Sequence, residues 1–184
     1  MIVHINGWPG VGKLTVAREV ARKLGARMLD NHTLHDVAMR LCDRGTEDYW
    51  TLYYQVRDVA YRRIRTIPPA ESLVMTNALV AESDREREAW DAVKSLAVAR
   101  SATLIAINLE CSLEENVRRV RSEERRHRKL IDPEPLIEWR SKYTLLTDGA
   151  TASLTIDNSS RGPEQVADEI VAFARGAAVS PAEH

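Results

Sequence analysis

Three glycines, a lysine and a threonine fall close together in Gly7-Trp8-Pro9-Gly10-Val11-Gly12-Lys13-Leu14-Thr15. These residue types at this spacing suit one task, the gripping of a phosphate. Glycine tolerates positive φ and brings no Cβ to block an anion. Successive backbone N–H groups can then converge on phosphate oxygens. A helix starting near Lys13 aims its positive end at the same point. The Lys13 ammonium adds a mobile cation for the β- and γ-phosphates of a nucleotide. Gly7, Pro9, Gly10, Val11, Gly12, Lys13, Leu14 and Thr15 are therefore the candidate nucleotide-binding residues. The bland alternative is an ordinary Gly-rich turn between a strand and a helix.

A second group is basic. Arg118, Arg119, Arg121, Arg125, Arg126, Arg128 and Lys129 crowd into twelve positions, offset by Glu123 and Glu124. Such runs are commonly solvated helix faces. Behind a phosphate loop they suit another purpose, because phosphoryl transfer needs cations along the transferring group and exclusion of water. Arg119 and Arg125 are the candidates for that work.

A third group could receive an acceptor. A carboxylate at Asp30 can orient a hydroxyl and take its proton, or it can cap the helix that follows. His32 offers a polar contact. With His35 it could share a helix face, but a metal site needs a third ligand that is not evident. Tyr49, Trp50, Tyr53, Tyr54 and Tyr61 make up half of the ten aromatic residues. Trp50, Tyr54 and Arg57 on that stretch suit a flat or anionic acceptor, or the rings pack into the core. Asn77 follows a short apolar run and completes the group. No carboxylate stands at Met75-Thr76-Asn77, which weighs against a motor or switch ATPase.

The elements that must position these residues can be read from the pattern. Short apolar runs at Ile2 to Ile5, Arg27 to Leu29, Leu73 to Met75, Thr103 to Leu109 and Leu154 to Ile156 predict strands. Helical spacing predicts helices between them: one ending at Gly25, a long stretch over 33–66 broken near Gly45, and one after Pro163. Ser83 with Glu86, and Ser112 with Glu115, form capping boxes that open two more. Asp132-Pro133 predicts an N-cap with Pro at the first helical position. Strands alternating with helices predict a parallel sheet covered on both faces. Ligands bind such sheets at the carboxyl ends of the strands.

The form G-x-P-G-x-G-K-x-T resembles the Walker A motif of adenylate kinase and its small-kinase relatives. About residues 1–176 resemble the P-loop kinase superfamily, which includes shikimate, adenylate, gluconate and chloramphenicol kinases. The resemblance implies a three-layer α/β fold with a five-stranded parallel sheet in order 2-3-1-4-5. It also implies an Arg-rich lid over about 119–132, and ATP with Mg²⁺ as cofactors. Lys13, Asp30, Arg119 and Arg125 would be catalytic, and Asp30, His32, Trp50, Tyr54, Arg57 and Asn77 would hold the acceptor. Leu14 stands where the common motif has a Ser or Thr for Mg²⁺, so the ion would be held through water near Thr15. Asp157-Asn158 would line the adenine pocket.

Composition sets the outer bounds. The chain has 184 residues, 26 basic against 27 acidic, and two cysteines that form no C-x-x-C pair. That length predicts one domain over 1–176 with a flexible tail at 177–184. A net charge of -1 argues against a nucleic-acid partner. No apolar stretch predicts a membrane span, and no leader pattern opens the chain, so the cytoplasm is the expected compartment. The expected function is a small-molecule kinase, monomeric or homodimeric. The alternatives are a nucleoside or nucleotide kinase, and an ATP-binding regulatory protein with little turnover.

Overall fold

The computed structural model describes residues 1–122 and 132–179. Five strands form one sheet: β1 (Ile2–Gly7), β2 (Arg27–Asp30), β3 (Leu73–Thr76), β4 (Leu104–Glu110) and β5 (Ala152–Asp157). Their order is β2-β3-β1-β4-β5, and every pairing is parallel. Both the strand order and the layering agree with the expectation from sequence.

Between the strands run α1 (Lys13–Leu24), α2 (Asn31–Leu41), α3 (Glu47–Arg65), α4 (Asp84–Ala99), α5 (Leu113–Val120) and α6 (Glu134–Lys142), and α7 (Pro163–Val179) follows β5. Central β1 is buried along its whole length and alternates between two cores. Val3 and Ile5 pack with Val16, Val20 and Ile170 of α1 and α7. Ile2 joins Tyr61, Ile64, Trp90 and Leu96 of α3 and α4 on the other side. This is the period-2 pattern that fixes register in a doubly covered sheet.

The helix starts follow local chemistry. Thr46, Ser83 and Ser112 each accept a hydrogen bond from the backbone N–H three residues on, worth about 1 kcal/mol per cap. Gly25 ends α1 in the left-handed conformation. The helical stretch breaks into α2 and α3 at the expected place, where Gly45 turns the chain with φ +88.

Two boundaries differ from expectation. Pro133, not Asp132, is the N-cap of α6; the Asp132 carboxylate accepts instead from the N–H of Glu134 at 3.1 Å. And α7 continues through Gly176 to Val179, with Ala174 buried in the core beneath it. Residues 180–184 of the expected tail lie outside the described residues.

Candidate functional site

The phosphate loop leaves the carboxyl end of β1, the central strand, and enters α1. Gly10 and Gly12 take φ +93 and +96, where a side chain would be strained. Gly7 is glycine for space: a Cβ there would lie 2.5 Å from the Leu109 carbonyl oxygen. Lys13 folds back over the loop, and its Nζ donates to Gly7 O at 2.6 Å and Trp8 O at 2.9 Å. Leu14 is half-buried and Thr15 is exposed. Pro9 and Val11 contribute backbone carbonyls that other elements hold.

One arginine reaches those carbonyls directly and a second acts through Asn116. Arg119 of α5 donates through Nη1 to Val11 O at 3.1 Å and to Asn158 Oδ1 at 2.8 Å, and through Nη2 to Asn158 O at 2.9 Å. Asn158 in turn donates to Val11 O at 2.8 Å. Arg140 of α6 donates to Asn116 Oδ1 and to Cys111 O, both at 2.9 Å. Asn116, fully buried, donates to Pro9 O at 2.9 Å. Glu115 completes the group: hydrogen bonds from Arg118 and then Arg119 hold its carboxyl down to about 2. Asn158 thus braces the loop from the side where sequence placed a base pocket. Arg125, and the rest of the expected lid between Ser122 and Asp132, lie outside the described residues.

A hydrogen-bonded clasp closes the loop's other flank. Asn6, 1% exposed, donates to Leu79 O at 2.8 Å and Leu146 O at 3.1 Å, and accepts from Leu79 N–H at 2.7 Å. The segments it joins pair with each other: Ala81 N–H to Thr144 O, Leu146 N–H to Leu79 O, and an antiparallel bridge at Val80 and Leu145. The carboxylates of Glu82 and Glu86 accept from Thr144 N–H and Val80 N–H. On this clasp sits the Trp8 indole, 7% exposed, packed also against Val120 and Leu136.

The acceptor candidates surround the ends of β2 and β3. Asp30 stands at the N-cap position of α2 but makes no capping hydrogen bond. Its buried carboxylate accepts instead from the hydroxyl of Thr76, its register partner on β3. Asn77 is buried, its N–H donating to Ile5 O at 3.1 Å. His4 lies beneath it, fully buried; Asn77 is beside the ring but outside good hydrogen-bond geometry. Burial brings the His4 pKa down to about 4, against a smaller upward pull from Asn77. His32 is exposed. His35 does not face a metal set: its Nδ1 meets the Tyr49 hydroxyl at 2.6 Å and its ring stacks on Tyr53 at 4.2 Å.

Most of the aromatic stretch packs on itself. Tyr49 and Tyr53 are buried with Leu34 and Ala38 between α2 and α3, and Tyr61 belongs to the core under β3. Trp50 and Tyr54 are half-buried at its edge. Trp50 carries the Arg85 guanidinium 3.9 Å from its ring centroid. Arg57 lies 4.8 Å over Tyr54 and 6.0 Å from the Tyr61 ring, its side chain 16% exposed, with a 3.3 Å contact to the exposed Asp58.

Asn6, Trp8, Asn116 and Arg140 escaped the sequence reading. Asn6 had a visible cue, as a polar residue in a buried apolar strand, which demands a partner. The others had none, since their partners lie about a hundred residues away along the chain or on another element.

Set beside known proteins, the chain matches no family profile and no curated sequence. Solved structures match over nearly the whole chain. A candidate kinase from Chloroflexus aurantiacus superimposes with TM-score 0.69 at 23% identity, covering 95% of this chain and 93% of that one. Shikimate kinase from Aquifex aeolicus gives 0.60 at 20%, covering 98% and 100%. The APS kinase of Mycobacterium tuberculosis, solved with AMPPNP and APS, gives 0.56 at 18%, covering 95% and 96%. The chain therefore has the three-layer P-loop fold. Structures that share it include shikimate kinases, a gluconokinase and an APS kinase, beside a tunicamycin resistance protein.

Proposed function

We propose that this chain transfers the γ-phosphoryl group of ATP to a hydroxyl of a small-molecule acceptor. The observation that carries the reading is the phosphate loop itself: three glycines, with Lys13 folded across the carbonyls, at the end of the central strand. Its neighbours in the fold that phosphorylate sugars, shikimate or APS support the reaction class.

In this reading the loop N–H groups and Lys13 hold the β- and γ-phosphates. The acceptor oxygen bonds to the γ-phosphorus, the bond to the β–γ bridging oxygen breaks, and ADP leaves. The hydroxyl proton passes to the Asp30 carboxylate, which Thr76 orients. Arg119 sits at the loop's edge, suited to the nucleotide, and Arg125 would add charge from beyond the described residues. His32, Trp50, Tyr54, Arg57 and Asn77 would border the acceptor, with Arg57 favouring an anionic one.

Mg²⁺ fits this donor set. It needs few protein oxygens when phosphates and waters supply the rest. Leu14 offers none, so the ion would be held through water near Thr15. When bound, it would neutralise charge on the phosphates.

A nucleoside or nucleotide kinase differs only in acceptor. The ring-on-ring packing of Tyr49, Trp50 and Tyr53 leaves less free aromatic surface for a base. Among the described residues no helix is long and apolar enough to cross a membrane. A cytoplasmic enzyme, monomeric or homodimeric, with no nucleic-acid partner, fits this reading.

The test is ADP release with ATP and Mg²⁺ against sugars, shikimate, gluconate, hydroxylated antibiotics, nucleosides and their monophosphates. One acceptor should stimulate release, and Lys13→Ala should lower that rate by about a hundredfold or more without unfolding the protein. A Lys13→Ala enzyme with full activity overturns the reading. Tight ATP binding with no stimulation by any acceptor favours a regulatory nucleotide-binding protein.

A further inference from the structure

Trp8 is the one bulky side chain inside the phosphate loop, at a position where the loop chemistry asks only for a backbone. Its carbonyl does two jobs at once. It accepts from Lys13 Nζ at 2.9 Å and from Val11 N–H at 3.3 Å, closing the tight turn. Its indole does something separate. It lies 7% exposed on Leu145 and half-buried Val80 of the clasp, with Val120 of α5 and Leu136 of α6 on its other sides. The clasp is itself rigidly tied to β1, because Asn6 makes three hydrogen bonds to it two residues before Trp8.

A loop of glycines has many conformations, and only one presents its N–H groups and its lysine to a phosphate. Glycine freedom must be removed somewhere for the loop to bind without a large ordering cost. Side chains of a G-x-P-G-x-G segment offer few handles for that, and here Trp8 is by far the largest. We propose that Trp8 is a positioning residue: its indole, anchored on the clasp and on α5 and α6, fixes the peptide whose carbonyl seats Lys13, and so holds the Lys13 ammonium ready for a phosphate.

This inference rests on the reading that the loop binds a nucleotide. Its effect is a population effect. Without the anchor Lys13 is seated for only a fraction of the time, and its share of the binding falls with that fraction. A Trp8→Ala protein that keeps Lys13 seated about one-tenth of the time binds about tenfold more weakly. Trp8→Phe, which refills most of the seat, restores binding to within about threefold.

The experiment is calorimetric binding of AMPPNP with Mg²⁺ to the wild type, Trp8→Ala, Trp8→Phe, Leu145→Ala, Lys13→Ala and the double substitution Trp8→Ala/Lys13→Ala. A residue acting through Lys13 loses its effect once Lys13 is gone, so in the Lys13→Ala background Trp8→Ala should cost less than about twofold. A merely structural tryptophan would lower the melting temperature and leave the two substitutions additive on affinity. An equal loss in both backgrounds, or no loss from Trp8→Ala at all, overturns the proposal. Where Trp8→Ala fails to fold, Leu145→Ala takes its place in the same cycle, and additivity there overturns the proposal equally. A Lys13→Ala protein that binds AMPPNP as tightly as the wild type overturns the nucleotide reading and this inference with it. Weakened Lys13→Ala binding with additive Trp8 effects overturns the Trp8 role alone.

Discussion

Around the phosphate loop the contacts are polar and end on backbone carbonyls. Lys13 holds Gly7 O and Trp8 O, Asn116 holds Pro9 O, and Arg119 and Asn158 hold Val11 O. Around α2 and α3 the contacts are ring on ring: His35 on Tyr53, Trp50 edge-on to Tyr49 and Tyr53, Arg57 over Tyr54. The first arrangement fixes the loop's backbone tightly through its carbonyls. The second fills space with interchangeable surfaces. A phosphate is the same in every nucleotide, so its grip can be built from the main chain. An acceptor differs from enzyme to enzyme, so its site is built from side chains that can be exchanged.

The comparison breaks first at glycine, where the two regions should respond most differently. In Gly7→Ala the new Cβ meets Leu109 O at 2.5 Å, a backbone atom of the paired strand, and Val11 Cγ1 at 3.0 Å. Neither can yield cheaply inside the central sheet. We expect a loss of about 3 kcal/mol or more in urea unfolding. Gly45, in the turn between α2 and α3, has φ +88 and nothing within 4 Å of a Cβ. Gly45→Ala should lose only about 1 to 2 kcal/mol, from backbone strain alone. Equal losses would mean that the loop region is no more tightly fitted than the acceptor side.

Acid should test both regions together. Burial leaves His4, beneath the loop flank, and His35, between α2 and α3, with pKa values of about 4, below the ordinary 6.5. Around His35, His32 and Arg44 add to the lowering, while Asp30 and Asp36 oppose it. A depressed histidine favours folding by staying neutral. Its contribution is full above about pH 6.5 and is lost as pH falls toward 4, because the unfolded chain takes the proton first. Each histidine should therefore cost about 2 to 3 kcal/mol of stability between about pH 7.5 and 4.5. Denaturant unfolding of His4→Phe and His35→Phe should show that much less pH dependence each. An unchanged slope in either variant would mean that its histidine takes a proton as readily in the folded protein as in the unfolded chain.

How far the sequence was legible follows the same division. The strand order came from a resemblance carried by Gly7 to Thr15, and the strands came from apolar runs, because a buried parallel sheet leaves that pattern. The loop glycines were legible because backbone geometry restricts residue type. Asp30 was found but its partner was not: Thr76 meets it only through register across β2 and β3. The clasp was invisible, since it joins residues 79–82 to 144–146 by main-chain bonds that any sequence can make. Tyr49 and Tyr53 stayed open between site and core because helical spacing gives a face, not what covers it.

Arg57 offers the smallest and most discriminating effect. Its guanidinium is largely covered by Tyr54 and Tyr61, and among the described residues the carboxylate paired with it is that of exposed Asp58. Packing alone does not need the charge, because a thioether chain of similar length covers the same ring. Arg57→Met should therefore cost about 1 kcal/mol or less, a fall of about 2 to 4 °C in melting temperature. If the charge serves an anionic acceptor, the same variant raises the KM for that acceptor about tenfold and leaves the KM for ATP unchanged. Arg57→Lys should recover only part of the loss, since an ammonium keeps the charge without the planar fork that matches a carboxylate or phosphate. A Met variant with wild-type KM for the acceptor found by the panel would place Arg57 with Tyr49 and Tyr53, as packing, and would move the acceptor's anchor toward Asp30 and Asn77 at the sheet edge.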